Sequence, residues 1–306
     1  MKKPWLGYLA GIGSSLMMGL SWYATKRVEQ ISGGSVFDIL SARYIISGTV
    51  LLLLWRCGIV RLELRGRPLG PVIALSLLMP VCYNILEYSA LDHIASAEIG
   101  MLCSLSTVVA PVMGYFFLKE PLSRRETAFM LVTVFGIVFL NLFDFDPYSS
   151  TNIGRLLMCG CVLCASINRL IARKATAPGQ FTSTEVTAVM MWSSAVVLTA
   201  LAVGRHLLRG DMEQYWTFLG DSRIYGYLLF LSVGCSLLGF WSNNVAIANL
   251  PLSRSSVLVS LTTVVGVVSG AVLLKEALAW YDFVGCAIIM AGVTGCNLTR
   301  HSRAEA

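Results

Sequence analysis

One segment of this chain occurs twice, and any fold must accommodate both copies. The segment Leu118–Leu122 (LKEPL) recurs as Leu274–Leu278 (LKEAL), 156 residues later. Aligned without gaps at that offset, residues 90–142 and 246–298 share 16 of 53 positions, including two glycine pairs and one asparagine pair. Apolar bias alone does not place shared Lys-Glu, Gly and Asn residues in one register. The sequence therefore indicates an internal duplication.

Composition places this duplication in a membrane. Of 306 residues, 56% are apolar and 13% charged, and the mean hydropathy is +0.71, unlike an average soluble protein. Its apolar stretches reach about 20 residues, the length of a helix that crosses ~30 Å of hydrocarbon. We predict an all-α integral membrane protein with ten transmembrane helices, at residues 5–25, 36–55, 70–91, 94–118, 126–143, 153–171, 184–204, 224–246, 252–274 and 280–298.

The number of spans determines how the two copies are related. Five spans is an odd number, so the second copy must enter the membrane with the opposite orientation. The predicted units are a first five-helix repeat over residues 1–147 and a second, inverted five-helix repeat over residues 148–306. Inverted repeats are a recurrent architecture of secondary transporters, whose substrate sites lie near the midplane between the halves.

The distribution of basic residues predicts the topology. If the amino terminus lies inside, fifteen Lys and Arg residues fall at inner positions and seven at outer positions. This excess follows the positive-inside rule and predicts a multi-pass protein of the plasma membrane, a bacterial inner membrane, with both termini in the cytoplasm. Because topology accounts for the net charge of +6, no nucleic-acid partner is expected.

Ionisable side chains inside the predicted spans are candidates for function, because each costs roughly 2.5–3.5 kcal/mol unless it has a partner, water or a role. Asp38, Glu87 and Glu98 are expected in the outer third of the membrane, with Arg43 somewhat deeper. Arg43 either neutralises one of these acids as a structural staple or takes part in gating. Arg254, the repeat mate of Glu98, is expected to be an inner anchor that snorkels to the surface.

Uncharged polar residues in the spans can supply the few oriented hydrogen-bonding groups that a cavity in an apolar wall needs. Bonds within or between helices are the alternative for each of them. Pro80 removes a backbone donor inside the third span and predicts a kink there. The candidate substrate-binding residues, including two of the acids, are Trp22, Tyr83, Asn84, Glu87, Glu98, Ser106 and Thr262.

The two halves carry a further pattern, Pro111 to Gly136 around the first LKEPL segment and Gly270 to Gly292 around the second. With ten spans, this pattern resembles the EamA-type branch of the drug/metabolite transporter superfamily over nearly the whole chain. The inverted duplication favours alternating access. The resemblance implies a cavity lined mainly by the first, third, fourth, sixth, eighth and ninth spans. Family members carry amino acids, other metabolites, cations, sugars, nucleotide sugars or drugs. Residues 98–101 are similar to a segment in exporters of aromatic amino acids.

These observations predict a secondary active transporter that exports amino acids or related small metabolites. The alternatives are a cation or drug exporter that uses intramembrane carboxylates and, from a different class, a membrane-embedded enzyme. The sequence lacks a zinc-type His-Glu-x-x-His, a G-x-S-x-G elbow and a Walker loop, so no catalytic residue, metal or cofactor is predicted. The expected partners are a small-molecule substrate, the lipid bilayer, a coupling proton and a second copy in a homodimer.

Overall fold

The computed structural model describes residues 4–64, 67, 69–91, 93, 102–103, 105–142, 152–177, 179–273 and 280–298, and these contain helices and no strand. Two π-helical segments, Leu77–Cys82 and Phe230–Gly239, join α3 to α4 and α10 to α11, and a 3-10 turn, Ser222–Ile224, precedes α10. The α-helices are α1 Pro4–Ser32, α2 Val36–Arg56, α3 Gly70–Ser76, α4 Tyr83–Leu91, α5 Ser106–Leu118, α6 Arg124–Leu142, α7 Asn152–Ala175, α8 Ser183–Arg209, α9 Met212–Gly220, α10 Tyr225–Leu229, α11 Phe240–Asn249, α12 Leu252–Val259, α13 Leu261–Leu273 and α14 Trp280–Leu298.

The chain is an all-helical membrane protein. By length and composition, seven helical stretches among the described residues can cross a bilayer. These stretches are Val36–Arg56, Gly70–Glu87, Asn152–Ala175, Ser183–Arg209, Ser222–Asn249, Leu252–Ser269 and Trp280–Leu298. α1 differs from the sequence-based boundary, because it continues past residue 25 to Ser32. Ala24 and Val28 extend its buried face against Ile224 and Leu228, so packing holds the extra turns.

Helix neighbours define the bundle. α1 packs on α11, α12 and α13, whereas α7 packs on α4 and α5. Three further pairs are α2 with α8, α6 with α14, and α5 with α12. The largest core cluster lies where α2, α3, α8 and α11 meet and includes Tyr44, Leu75, Met190, Met191 and Ile247.

The antiparallel helices α2 and α8 fix each other's ends. Each begins with a capping box whose third residue is acidic, Asp38 in α2 and Glu185 in α8, and such boxes satisfy orphan amide donors of the first turn. Asp38 Oδ1 lies 2.9 Å from Nε2 of His206 near the end of α8. Glu185 Oε2 accepts a hydrogen bond of 3.2 Å from Nη1 of Arg67, beyond the end of α2. Both ends of the pair are therefore joined by ionisable groups.

The predicted kink at Pro80 is confirmed. Met79 has φ −145° and ψ 119°, which breaks the helical path. The Leu75 carbonyl, just before the break, accepts a hydrogen bond of 2.9 Å from Nδ2 of Asn168 in α7. Asn84 Nδ2 donates to the Pro80 carbonyl at 2.6 Å. Because buried backbone groups in a membrane need partners, these two amides stabilise the kink.

Two glycines bring α6 and α14 into backbone contact. A Cβ added at Gly136 would lie 2.9 Å from the backbone nitrogen of Ile289, and one at Gly292 would lie 2.8 Å from that of Thr133. Small residues at helix interfaces permit this approach in membranes. Positions 133 and 289, like 136 and 292, are separated by the repeat offset of 156 residues.

Candidate functional site

Asp38 forms bonds that hold helix ends together. Its side chain is almost fully buried, and Oδ2 accepts hydrogen bonds from the backbone nitrogen and the hydroxyl of Ser35 at 2.9 and 2.8 Å. The other oxygen faces His206, whose Nδ1 lies 2.7 Å from Oδ1 of Asp211. Asp38 therefore belongs to a structural cluster at one end of α8. No pattern in the sequence indicates His206 as its partner.

Arg43 has a neutral partner. Its Nε donates to the hydroxyl of Ser236 in the second π-helical segment, and its guanidinium carbon lies 5.8 Å from the centre of the Tyr44 ring. Among the described residues no carboxylate forms an ion pair with Arg43. Two of the three acids expected to neutralise Arg43 have other partners, because Asp38 is bound to His206 and Glu87 accepts a hydrogen bond from Tyr83. The third, Glu98, lies outside the described residues.

Glu87 is a buried carboxylate whose one hydrogen bond within the described part of the chain comes from Tyr83. The side chain is 7% exposed, and Tyr83 Oη donates to Oε1 at 3.1 Å from one turn earlier in α4. The same hydroxyl lies 3.3 Å from Sγ of Cys103, just before α5. Cys161 of α7 donates its thiol to the Tyr83 carbonyl at 3.7 Å. Two predicted residues, Tyr83 and Glu87, thus meet where α4, α5 and α7 pack.

Arg169 is the residue that sequence reasoning missed as a site. The charge count treats it only as a basic residue at an inner helix end, yet it is 8% exposed. Nη1 is buried without a hydrogen-bond partner, and the described residues give the guanidinium no ion pair. Its depth was readable from the sequence, since it lies six residues, about 9 Å, from the end of α7.

Arg173 lies one turn later on the same face of α7, and its contacts show which helices this face approaches. Arg173 Nε donates to Oε1 of Glu120 at 2.7 Å, and Nη1 donates to the carbonyls of Ile247 and Ala248 at 2.6 and 2.8 Å. This face of α7 therefore contacts the end of α5 in the first half of the chain and the end of α11 in the second half. Arg169 lies one turn deeper on the same face of α7.

Arg254 is buried and does not snorkel as expected. It is 6% exposed, and its Nη1 donates to the hydroxyl of Tyr8 at 2.5 Å. Its Nε lies 3.6 Å from Oε1 of Glu126 in α6. The side chain does not reach the surface because α12 packs against α1, α6 and α14, which cover it.

The other predicted residues contribute less. Asn84 is used by the kink through its amide. Ser106 begins α5 and is half-buried, and the Thr262 hydroxyl is buried with no hydrogen-bond partner in the described chain. Trp22 lies in α1 with its side chain outside the described residues, and Glu98 is outside them altogether.

Comparison with known proteins agrees with this helical, polar-lined interior. The EamA-like transporter family matches residues 5–142 and again residues 152–298. The chain belongs to the EamA-like transporter family. It is 27% identical over 299 residues to the uncharacterized transporter YcxC of Bacillus subtilis, covering 97% of this chain and 95% of that protein.

Two further comparisons of this EamA-like transporter, one with a protein sequence and one with a solved structure, give lower identities. A probable amino-acid metabolite efflux pump of Escherichia coli is 22% identical over 235 residues, covering 73% of this chain and 77% of the pump. A solved crystal structure aligns with a TM-score of 0.78 at 19% identity, covering 96% of this chain and 98% of the other. The second likeness concerns the fold alone.

Buried charges without an ion-pair partner are the groups in an EamA-like transporter that are expected to meet a substrate or a coupling ion. Within the part of the chain that the structure describes, Glu87 has only the hydrogen bond from Tyr83 and Arg169 has no ion pair. Both lie on faces where α7 packs against its neighbours. These two residues form the candidate site, with Tyr83 as the hydroxyl that orients Glu87.

Proposed function

We propose that this protein is a secondary active transporter that exports amino acids or related small carboxylate-bearing metabolites by alternating access. The observation that carries the proposal is the buried guanidinium of Arg169, whose Nη1 has no hydrogen-bond partner and which forms no ion pair with any described residue. A cation held inside a membrane protein without an anion is costly, and a substrate carboxylate supplies the missing charge with a two-pronged hydrogen-bond geometry. The name of the Escherichia coli relative supports the same substrate class.

Glu87 and Arg169 act separately in this proposal. The contact of Cys161 with the Tyr83 carbonyl sets α4 and α7 side by side, and the two helices are antiparallel. Glu87 is four residues from Tyr83 in one direction and Arg169 is eight residues from Cys161 in the other. Their α-carbons are therefore about 18 Å apart along the helices. One α-amino acid cannot span both, so Arg169 receives the carboxylate and Glu87 carries the coupling proton.

The ten-helix, inverted-repeat architecture is part of the proposal, and the packing supports it. If α1 corresponds to α7, the contact of α1 with α11 has its counterpart in α7 with α4, and that of α1 with α13 in α7 with α5. The contacts α2–α8 and α6–α14 each join two corresponding helices, so each contact maps onto itself. The glycine contacts at 136/289 and 292/133 exchange under the same operation, as a two-fold axis in the membrane plane requires.

Topology follows from the same proposal. Both termini lie in the cytoplasm, and the membrane is the bacterial plasma membrane, because the excess of Lys and Arg falls on the side of the termini. The scaffold pair α6–α14 exposes large apolar side chains, among them Phe135 and Phe283, which face lipid or a second copy in a homodimer.

A specific observation favours a second candidate function. Glu87 is a buried carboxylate without a cationic partner among the residues that the structure describes, which is what an exporter of organic cations needs. In that case Glu87 holds the cation, and an amine without a carboxylate is transported as well as an amino acid. The membrane-embedded enzyme gains no support from the arrangement of these residues.

Counterflow in proteoliposomes tests the proposal. Arg169→Met is compared with Arg209→Met, which removes an exposed arginine at the end of α8. The panel contains amino acids and the amines obtained by removing their carboxylates. We expect Arg169→Met to abolish exchange of the acids while stability is kept or raised, because replacing an uncompensated buried charge with an apolar residue relieves its desolvation cost. Arg209→Met should behave as wild type.

Other outcomes decide between the alternatives. Unchanged exchange in Arg169→Met, or loss of folding, would make Arg169 structural. If amines exchange and Glu87→Gln abolishes their exchange, the protein is a cation exporter. If amino acids exchange but Glu87→Gln still responds to a pH gradient, the coupling proton is not on Glu87. Glu98 remains the alternative predicted from the sequence.

A further inference from the structure

A crevice of about 1220 Å³ lies between the first half of α1 and the last half of α14. Both helices pack on α12 and α13, which form its floor. The crevice runs along the helices from their ends into the membrane: Ile12 on α1 and Met290 on α14 are each eight residues, about 12 Å, from Pro4 and Leu298. Neither Glu87 nor Arg169 lines it.

The crevice is apolar in its deeper part and polar at the end near the termini. The deeper part is apolar, with Ile12, Leu258, Leu261, Met290 and Val293 on its walls. The end near the termini is polar and contains Tyr8, Asn297 and four charged residues. Those four residues, Glu120, Glu126, Arg173 and Arg254, have no net charge. An occupant that matches this surface has an apolar chain and a polar head without net charge.

Three polar atoms at this end have no hydrogen-bond partner among the described residues. Two belong to Arg254, which is more than nine-tenths buried and uses Nη1 for Tyr8: Nε, which lies 3.6 Å from Oε1 of Glu126, and Nη2. The third is Oδ1 of Asn297, whose amide nitrogen donates to the Val293 carbonyl at 2.8 Å. Nη2 of Arg254 is a cationic donor and Oδ1 of Asn297 a neutral acceptor. The missing ligand must therefore accept at one point and donate at another.

We infer that this crevice binds a zwitterionic phospholipid with a primary ammonium, phosphatidylethanolamine, from the leaflet on the side of the termini. Its phosphate accepts from Nη2 of Arg254, its ammonium donates to Oδ1 of Asn297, and one acyl chain lies against the apolar wall. Phosphatidylglycerol would add an uncompensated negative charge to a neutral lining and has no ammonium for Asn297. A free amino acid would leave the apolar wall empty.

Native mass spectrometry of the full-length protein, purified in mild detergent and exposed to the two phospholipids with identical acyl chains, tests this inference. We expect one retained phosphatidylethanolamine, preferred over phosphatidylglycerol. Arg254→Gln should lower its retention about tenfold, the factor of a single charge-assisted hydrogen bond. Asn297→Leu should remove the preference for the ethanolamine headgroup. Arg223→Gln is the matched control, because Arg223 is exposed and paired with Asp221.

A second variant keeps the test decisive if Arg254→Gln does not fold. Met290→Trp fills the crevice without changing charge, and thermal unfolding verifies that it is folded. It should lose both lipids. Retention of phosphatidylethanolamine by folded Met290→Trp would overturn the inference, as would equal retention of the two lipids by the wild type. These measurements involve no transport, so failure of the proposed transport function does not affect them.

Discussion

Replacing Gly292 with Ala tests the backbone contact between α6 and α14. The added Cβ would lie 2.8 Å from the backbone nitrogen of Thr133, about 0.6 Å short of the 3.4 Å at which ordinary contact begins. Backbone cannot turn aside as a side chain can, so α6 and α14 must separate. Overpacking of this kind costs about 1–3 kcal/mol.

Gly204→Ala is the control that isolates this cost. Gly204 lies inside α8, and a Cβ added there would have nothing within 4 Å. Alanine gains about 0.5–1 kcal/mol over glycine inside a helix, and this gain is common to both variants. The difference in unfolding free energy between Gly292→Ala and Gly204→Ala is therefore the steric cost alone, about 1–3 kcal/mol.

Unfolding in mixed micelles, followed by circular dichroism, measures the difference. Gly136→Ala should cost as much as Gly292→Ala, because the two glycines are repeat mates against equivalent backbone atoms. The double variant should cost less than the sum, because both alanines push the same two helices apart. If Gly292→Ala is as stable as Gly204→Ala, the backbone contact is absent. If the two interface variants differ by more than about 1 kcal/mol, the two-fold relation fails here.

Three further outcomes are expected. His206→Ala should cost about 3–5 kcal/mol of unfolding free energy, because it leaves the buried Asp38 without its partner on α8. Asp38→Asn in the same background should restore part of the lost stability. Additive losses would contradict the pairing. Arg43→Ala should cost less, about 1.5–3 kcal/mol for a hydrogen bond from a charged group; a larger loss in the same unfolding assay would point to an anion beside it. The exposed Cys57, kept as the single cysteine, should react with an impermeant maleimide from the cytoplasmic side and Gly210→Cys from the opposite side; reaction from one side only would refute the topology.

Much of the fold was predictable because its signals are local. Hydrophobic length indicated the membrane class, and Pro80 indicated the kink in the third span. The extension of α1 to Ser32 was not predictable, because it depends on packing of Val28 against residues almost two hundred positions away. The second π-helical segment, at Phe230–Gly239, contains no proline, so its sequence does not predict the change of helical pitch.

The candidate site was predictable only where its residues share a helix. Tyr83 and Glu87 are four residues apart, so their contact follows from the helical period. Partners on different helices were not accessible in this way. The sequence predicted an acid beside Arg43 because a buried cation is expected to have an anionic partner. Asp38 is instead bound to His206, 168 positions away, and the hydroxyl of Ser236 accepts the hydrogen bond from Arg43. Pairing depends on tertiary packing, which periodicity does not contain.

The buried charges of this protein separate into two groups, and the separation indicates where function lies. Asp38, Glu185 and Arg173 each bind two or more groups and join the ends of helices, so their desolvation cost is offset within the fold. Glu87 accepts a single hydrogen bond from a neighbouring turn, and Arg169 has no partner among the described residues.

Folding alone gives no reason to keep the second group. An apolar residue of similar size at position 87 or 169 would stabilise the bundle, so both residues cost stability that the fold does not recover. A substrate carboxylate at Arg169 and a proton at Glu87 would neutralise each charge during transport. The signature that distinguishes this from a structural role is a variant that is at least as stable as wild type and no longer transports.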